Sequence, residues 1–71
     1  MNVPVSIREK IESALINDSR TQEETIEVIN NQGIVTLVGR VKSEDVAQAA
    51  EELAEEQDGV IKVINSLAFI N

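Results

Sequence analysis

The stretch Asn31-Gln32-Gly33-Ile34-Val35-Thr36-Leu37-Val38-Gly39-Arg40-Val41 decides the fold, because it reads as a turn running into a central β-strand. Val35, Leu37, Gly39 and Val41 alternate with Ile34, Thr36, Val38 and Arg40, so a strand's period of two sends the first set to one side and the second to the other. The first set is read as the inward one. Gly39 falls in the middle of that register, where a missing side chain weakens a strand unless another backbone must come close or the strand must bend. A helix is therefore expected to cross at Gly39.

Before the turn, the segment from Thr25 to Asn30 also alternates, with Ile26 and Val28 on one side and Thr25, Glu27 and Ile29 on the other. Asn30-Asn31-Gln32-Gly33 tolerates positive φ, which predicts an antiparallel hairpin between this strand and the central one. Further upstream, Ile7, Ile11 and Leu15 recur at helical spacing beside Ala14. The first turn has two candidate starts, Pro4 with its fixed φ and Ser6 with Glu9 at capping-box spacing; the predicted helix covers residues 4–16. Its other face carries Arg8, Glu9, Lys10, Glu12 and Ser13 and reads as solvated. Asn17-Asp18-Ser19-Arg20 closes it, and residues 21–24 read as a polar connection.

After the central strand, Ser43 stands at an N-cap position with Glu44 and Asp45 complementing the positive end of a second helix. Val46, Ala50, Leu53 and Ala54, flanked by Ala47 and Ala49, form its apolar stripe. These small side chains fit a close approach to the notch at Gly39. Asp58-Gly59 is expected to end the helix in a left-handed cap, with Val60 making the hydrophobic contact beyond it. A third strand over residues 60–70 then puts Val63, Asn65, Leu67 and Phe69 on one side and Ile64, Ser66, Ala68 and Ile70 on the other. Phe69, the largest core candidate, makes the first set inward. Asn65 joins it, and its buried amide is expected to bond neighbouring backbone. The helical crossover returns the last strand parallel to the central one by a right-handed connection, or antiparallel to the first; the parallel place beside the central strand is favoured, since the helix carries the chain back along the sheet. The prediction is an α+β fold of order αββαβ, with two helices packed on one face of a three-stranded mixed sheet and the other face open.

Size and composition narrow the function classes. The 71 residues make a single domain, residues 1–71, of modest stability, about 3–5 kcal/mol. Absence of Cys excludes disulfides and thiolate metal sites; absence of His, Trp and Tyr removes imidazole bases, imidazole ligands and most base-stacking platforms. A formal charge of −7 repels phosphate backbones and anionic headgroups at long range, so no nucleic-acid partner is expected. Met1 to Val5 lack the basic and apolar regions of a secretory signal, so none is expected there, and no apolar run reaches membrane-spanning length. The chain as written is expected to be cytoplasmic, or of the periplasm or envelope if cut from a longer exported protein.

Gly33, Val35, Leu37, Gly39 and Val41, then Ser43 and Ala50, then Gly59-Val60, Val63 and Asn65 fall in one familiar order. From Ile7 through Phe69 the chain resembles a BON domain, a small bacterial αββαβ module. The resemblance implies a non-catalytic attachment or interaction module, commonly of exported proteins near the cell envelope, for which phospholipid binding has been proposed. It implies no catalytic site and no cofactor.

The candidate sites follow from the residues. Glu51, Glu52, Glu55, Glu56 and Asp58 diverge on a convex helix surface, whereas a hard cation needs converging oxygens; no metal site is assigned. Gly33 and Gly39 lack the spacing and helix start of a phosphate loop. No cleft or nucleophile–base pair supports an enzyme. Arg40, Lys42 and Lys62 are candidate contacts for an anionic partner, if they cluster at one edge of the sheet. The open face is the stronger candidate: Ile29, Ile34, Val38, Ile64, Ala68 and Ile70 would point away from the helices as a patch of the size that marks contact surfaces. The expected function is docking of a protein partner or a second copy through that face, the alternative being attachment to a phospholipid surface.

Overall fold

Ser6 starts the first helix in the computed structural model, which describes residues 6–69. Its hydroxyl accepts a hydrogen bond from the Glu9 N–H at 3.1 Å, satisfying a donor that the first turn leaves free. The other expected start, at Pro4, lies outside the described residues. The elements are α1 (Ile7–Asn17), β1 (Thr25–Asn31), β2 (Ile34–Val41), α2 (Glu44–Glu55) and β3 (Lys62–Phe69). β2 is central, antiparallel to β1 and parallel to β3. α2 lies over β3 and β2, α1 lies over β1, and the two helices touch.

The segment between α1 and β1 is more constrained than a polar connection. Asp18 accepts hydrogen bonds from the Arg20 backbone N–H at 2.8 Å and from its guanidinium at 3.0 and 2.9 Å. These bonds hold the Asp18 carboxyl at about 2, below its ordinary value, and raise the Arg20 guanidinium. Arg20 also reaches Glu52 on α2 at 3.8 Å. Thr21, read as the start of a polar connection, is buried: its hydroxyl donates to the Leu15 carbonyl at 2.6 Å and so satisfies an acceptor left over at the end of α1.

The hairpin closes through Gln32 and Gly33, both at positive φ (53° and 94°), the requirement of a two-residue type I′ turn. Asn30 Oδ1 accepts from the Gly33 N–H at 2.9 Å, so the sequence's Asn and Gly each have a part in the turn.

The inward register holds. Val35, Leu37 and Val41 of β2 are fully buried, and with Val28 and Leu67 they meet Ile11 and Leu15 of α1 and Ala47, Ala50 and Ala54 of α2. Three details differ from expectation. Gly39 is needed by β1, not by a helix: at φ +147°, a Cβ there would stand 2.7 Å from the Thr25 carbonyl oxygen and 3.6 Å from Ile26 Cα. Phe69 has the predicted side but not the predicted burial, since it is 49% exposed. It pairs with the fully buried Val41 at the last rung of the sheet, beside Glu44 and the first turn of α2, but on the edge strand, where its outer side has no neighbouring strand. α2 ends at Glu55 with Glu56 as its cap in right-handed geometry, so Gly59, though at positive φ, belongs to the following turn. Val60 still packs against the core, as expected, while Ile61 faces solvent. β3 begins at Lys62, and Ile70 lies outside the described residues.

Asn65 makes the backbone bonds expected of it and ties two elements, but it is exposed, not buried, because it lies on the edge strand. Its Nδ2 donates to the Ala47 carbonyl and to Glu51 Oε1, both at 3.1 Å, while its Oδ1 accepts from the Leu67 N–H at 3.1 Å.

Candidate interaction face

The uncovered side of the sheet is built in rows by its register. Thr25, Arg40 and Ala68 form one row; Glu27, Val38 and Ser66 the next; then Ile29, Thr36 and Ile64; then Asn31, Ile34 and Lys62. Side chains directly opposite each other stand about 4.5–5.5 Å apart, so each row is a strip of contacts. Thr36 is the centre: Ile29 and Ile64 flank it across the strands, and Ile34 and Val38 flank it along β2. These four aliphatics are 46, 41, 42 and 36% exposed, whereas Thr36 is half-buried among them. The result is an apolar cross with polar corners, formed because β-branched residues suit both the pleated backbone and a contact surface.

Ala68 stands two rows from the Thr36 centre and one beyond Val38, beside Arg40. Ile70, the remaining residue expected on the face, is not among the described residues. The three basic residues are not brought together. Lys62 sits beside Ile34 and Arg40 is six residues further along β2, about 20 Å away at roughly 3.3 Å per residue. Lys42, beyond the end of β2, is 3.8 Å from Glu23. A single basic cluster is thus corrected to two separated ends of one face. The acidic residues Glu52, Glu55, Glu56 and Asp58 are exposed, and Glu51 is turned toward Asn65. Among the described residues no acidic group converges to hold a metal ion, and no helix is long and apolar enough to cross a membrane.

Thr36 is the residue that reading the sequence undervalued. It appeared as a polar interruption between Ile34 and Val38, but register makes it the floor on which four neighbours meet. The signal was its place at the midpoint of the central strand, where diagonal and lateral neighbours are most numerous.

The face carries the Glu27 carboxylate and the Thr36 and Ser66 hydroxyls among its aliphatics. Apolar side chains gathered in this way exclude water when another surface covers them. Compared with known families, residues 5–71 match the family model described as the BON domain. No curated protein matches the chain.

Proposed function

Since the chain belongs to the BON domain family, which is a small binding-type domain and not a catalytic family, we propose that it is a non-catalytic module that docks a protein partner or a second copy through the open face of its sheet. The carrying observation is the apolar cross of Ile29, Ile34, Val38 and Ile64 around Thr36 on a side that neither helix covers. Isolated exposed aliphatics need no explanation, but four converging on one point do.

Magnitude favours a moderate complex. A patch of about 300 Å2 on each of two surfaces contributes roughly 15 kcal/mol at about 25 cal/mol per Å2. Association itself costs roughly 4–15 kcal/mol. The apolar cross therefore needs its polar rim, Glu27, Ser66 and Lys62, to complete an interface of ordinary size, near 1,600 Å2 in total.

Sedimentation equilibrium of the wild type and Val38→Lys tests the reading. A wild-type mass above the monomer, falling to the monomer in Val38→Lys with an unchanged circular dichroism spectrum, supports a second copy as the occupant. A monomer at high concentration removes the second copy and leaves a protein partner. An oligomer indifferent to Val38→Lys would move the interface elsewhere. Phospholipid is the second reading, since Arg40 and Lys62 stand at the two ends of the same face; absence of co-sedimentation with anionic or zwitterionic vesicles at low salt retires it.

A further inference from the structure

β3 is an edge strand, and it differs from the other edge in a way that identifies what it can pair with. From Val63 to Phe69 it carries neither charge, proline nor glycine, and its single charged residue, Lys62, is at its start. Edge strands are normally blunted by inward charges, prolines or bulges, because their unpaired N–H and C=O groups are a template for another strand. The Leu67 N–H points away from β2, since its partner is the Asn65 side chain. Donors alternate sides along a strand, so those of Asn65 and Phe69 point outward with it. Asn65 thus covers one rung of the edge with a local bond that an incoming carbonyl replaces like for like.

Above this edge, α2 and β3 flank an open groove lined by Glu44, Ala47, Gln48, Glu51, Asn65, Leu67 and Phe69. Its volume of about 320 Å3 is at the lower end of the range of roughly 300–1,000 Å3 for small-molecule sites and suits the side chains of an added strand. Ala47, Leu67 and the half-exposed Phe69 are its apolar part, Gln48 and Asn65 are polar, and its rim is acidic. Among the described residues neither Glu44 nor Glu51 has a basic partner at ion-pair distance. The groove beside β1 is different: there Glu12 is paired with Arg8 at 3.3 Å.

We infer that the β3 edge and the α2 groove bind an extended segment of another protein as a fourth strand, one whose apolar side chains alternate with Lys or Arg. Its backbone pairs with the outward groups of β3, an aliphatic side chain covers Leu67 and Phe69, and its cations face Glu44 and Glu51. A second copy of this chain is the wrong occupant, because pairing two β3 edges would bring two acidic rims together in a protein of charge −7. The site is independent of the open sheet face.

The test is a 15N-labelled titration with a blocked peptide of alternating Lys and Val at moderate salt, and with its Glu/Val counterpart. The Lys/Val peptide should shift the Leu67 and Phe69 amides and those of Ala47 and Gln48, and bind roughly tenfold more tightly than the Glu/Val peptide. Glu44→Lys should weaken it by about tenfold, whereas Glu12→Lys, an equal charge change in the other groove, should weaken it by less than about twofold. Gln48→Lys substitutes if Glu44→Lys disturbs the start of α2. Shifts confined to β1 or to the open face, equal binding of the two peptides, or no binding at high peptide concentration would overturn the assignment.

Discussion

Replacing Gly39 by Ala tests why the central strand contains a glycine. The new Cβ would sit 2.7 Å from the Thr25 carbonyl oxygen, a backbone atom that moves only if β1 moves. The backbone at φ +147° is also one that a side-chain-bearing residue adopts rarely, at a cost of about 1–3 kcal/mol. Against this, alanine restricts the unfolded chain and returns about 0.4–1 kcal/mol. Adding the shift of β1 that relieves the clash, the net destabilisation is about 2 kcal/mol, a large share of the roughly 3–5 kcal/mol available to a chain of this size. Urea unfolding followed by far-ultraviolet circular dichroism, with a slope near 1 kcal/mol/M, should show the midpoint fall by about 2 M. The backbone amide shifts should cluster at Thr25 and Ile26. A variant within about 0.5 kcal/mol of the wild type, the usual range of surface substitutions, would refute the contact with β1. Shifts centred on Ala47 and Ala50 would instead restore the helix as the neighbour that needs the notch.

Thr21→Val keeps the shape of the side chain but removes the donor to the Leu15 carbonyl, so it should cost about 1–3 kcal/mol and lower the melting temperature by roughly 4–8 °C per kcal/mol; an unchanged melting temperature would show that the connection is not locked there. Ser43→Ala removes the cap that accepts from the Val46 N–H at 3.4 Å, a long bond, so the loss should be at the lower end of the range, about 0.5–1 kcal/mol in chemical denaturation, and Ser43→Asp should recover it. The Asp18 carboxyl titrates lower in the folded chain than in the unfolded one, so its stabilising contribution is complete above the unfolded value of 3.8 and is lost as pH falls through about 2. Carboxyl-carbon NMR should give Asp18 a midpoint of about 2, and Arg20→Gln should raise it toward 3.8.

The architecture was legible because two independent periods agreed with their punctuation. Alternation in β1 and β2, helical spacing in Ile7, Ile11 and Leu15, the Ser43 cap and the Asn-Gln-Gly turn all specified one αββαβ path, and sequences with that local consistency leave few competing folds. What failed did so at ends and in loops. Phe69 has the size of a core residue, but size predicts burial only where neighbours surround the side chain, and Phe69 ends the edge strand whereas Val41 beside it on the central strand is fully buried. Thr21 looked like solvent because polarity was read without asking which helix carbonyls still lacked donors. Gly39 announced a close approach correctly, but a missing side chain does not say from which direction the neighbour comes.

Faces and edges are legible to different degrees for a physical reason. A period of two assigns each side chain to a face, so Ile29, Ile34, Val38 and Ile64 were placed together from the sequence alone. Whether a strand has one neighbour or two depends on connectivity, which no local period encodes. The uncharged run from Val63 to Phe69 would be ordinary in a central strand buried on both sides. The parallel return through α2 leaves it outermost, where the same composition is a liability unless something pairs with it or blunts it. Asn65 blunts one rung by taking the Leu67 N–H, and nothing comparable in charge or proline protects the rest. Net charge acts on the consequences: at −7, two such edges repel when their acidic rims approach, so the exposed template is closed to copies of itself and open to a cationic strand. The negative balance thus has two effects that are easily confused. Over the whole molecule it opposes phosphate backbones at long range, and at the β3 edge it favours a cationic strand over an acidic one.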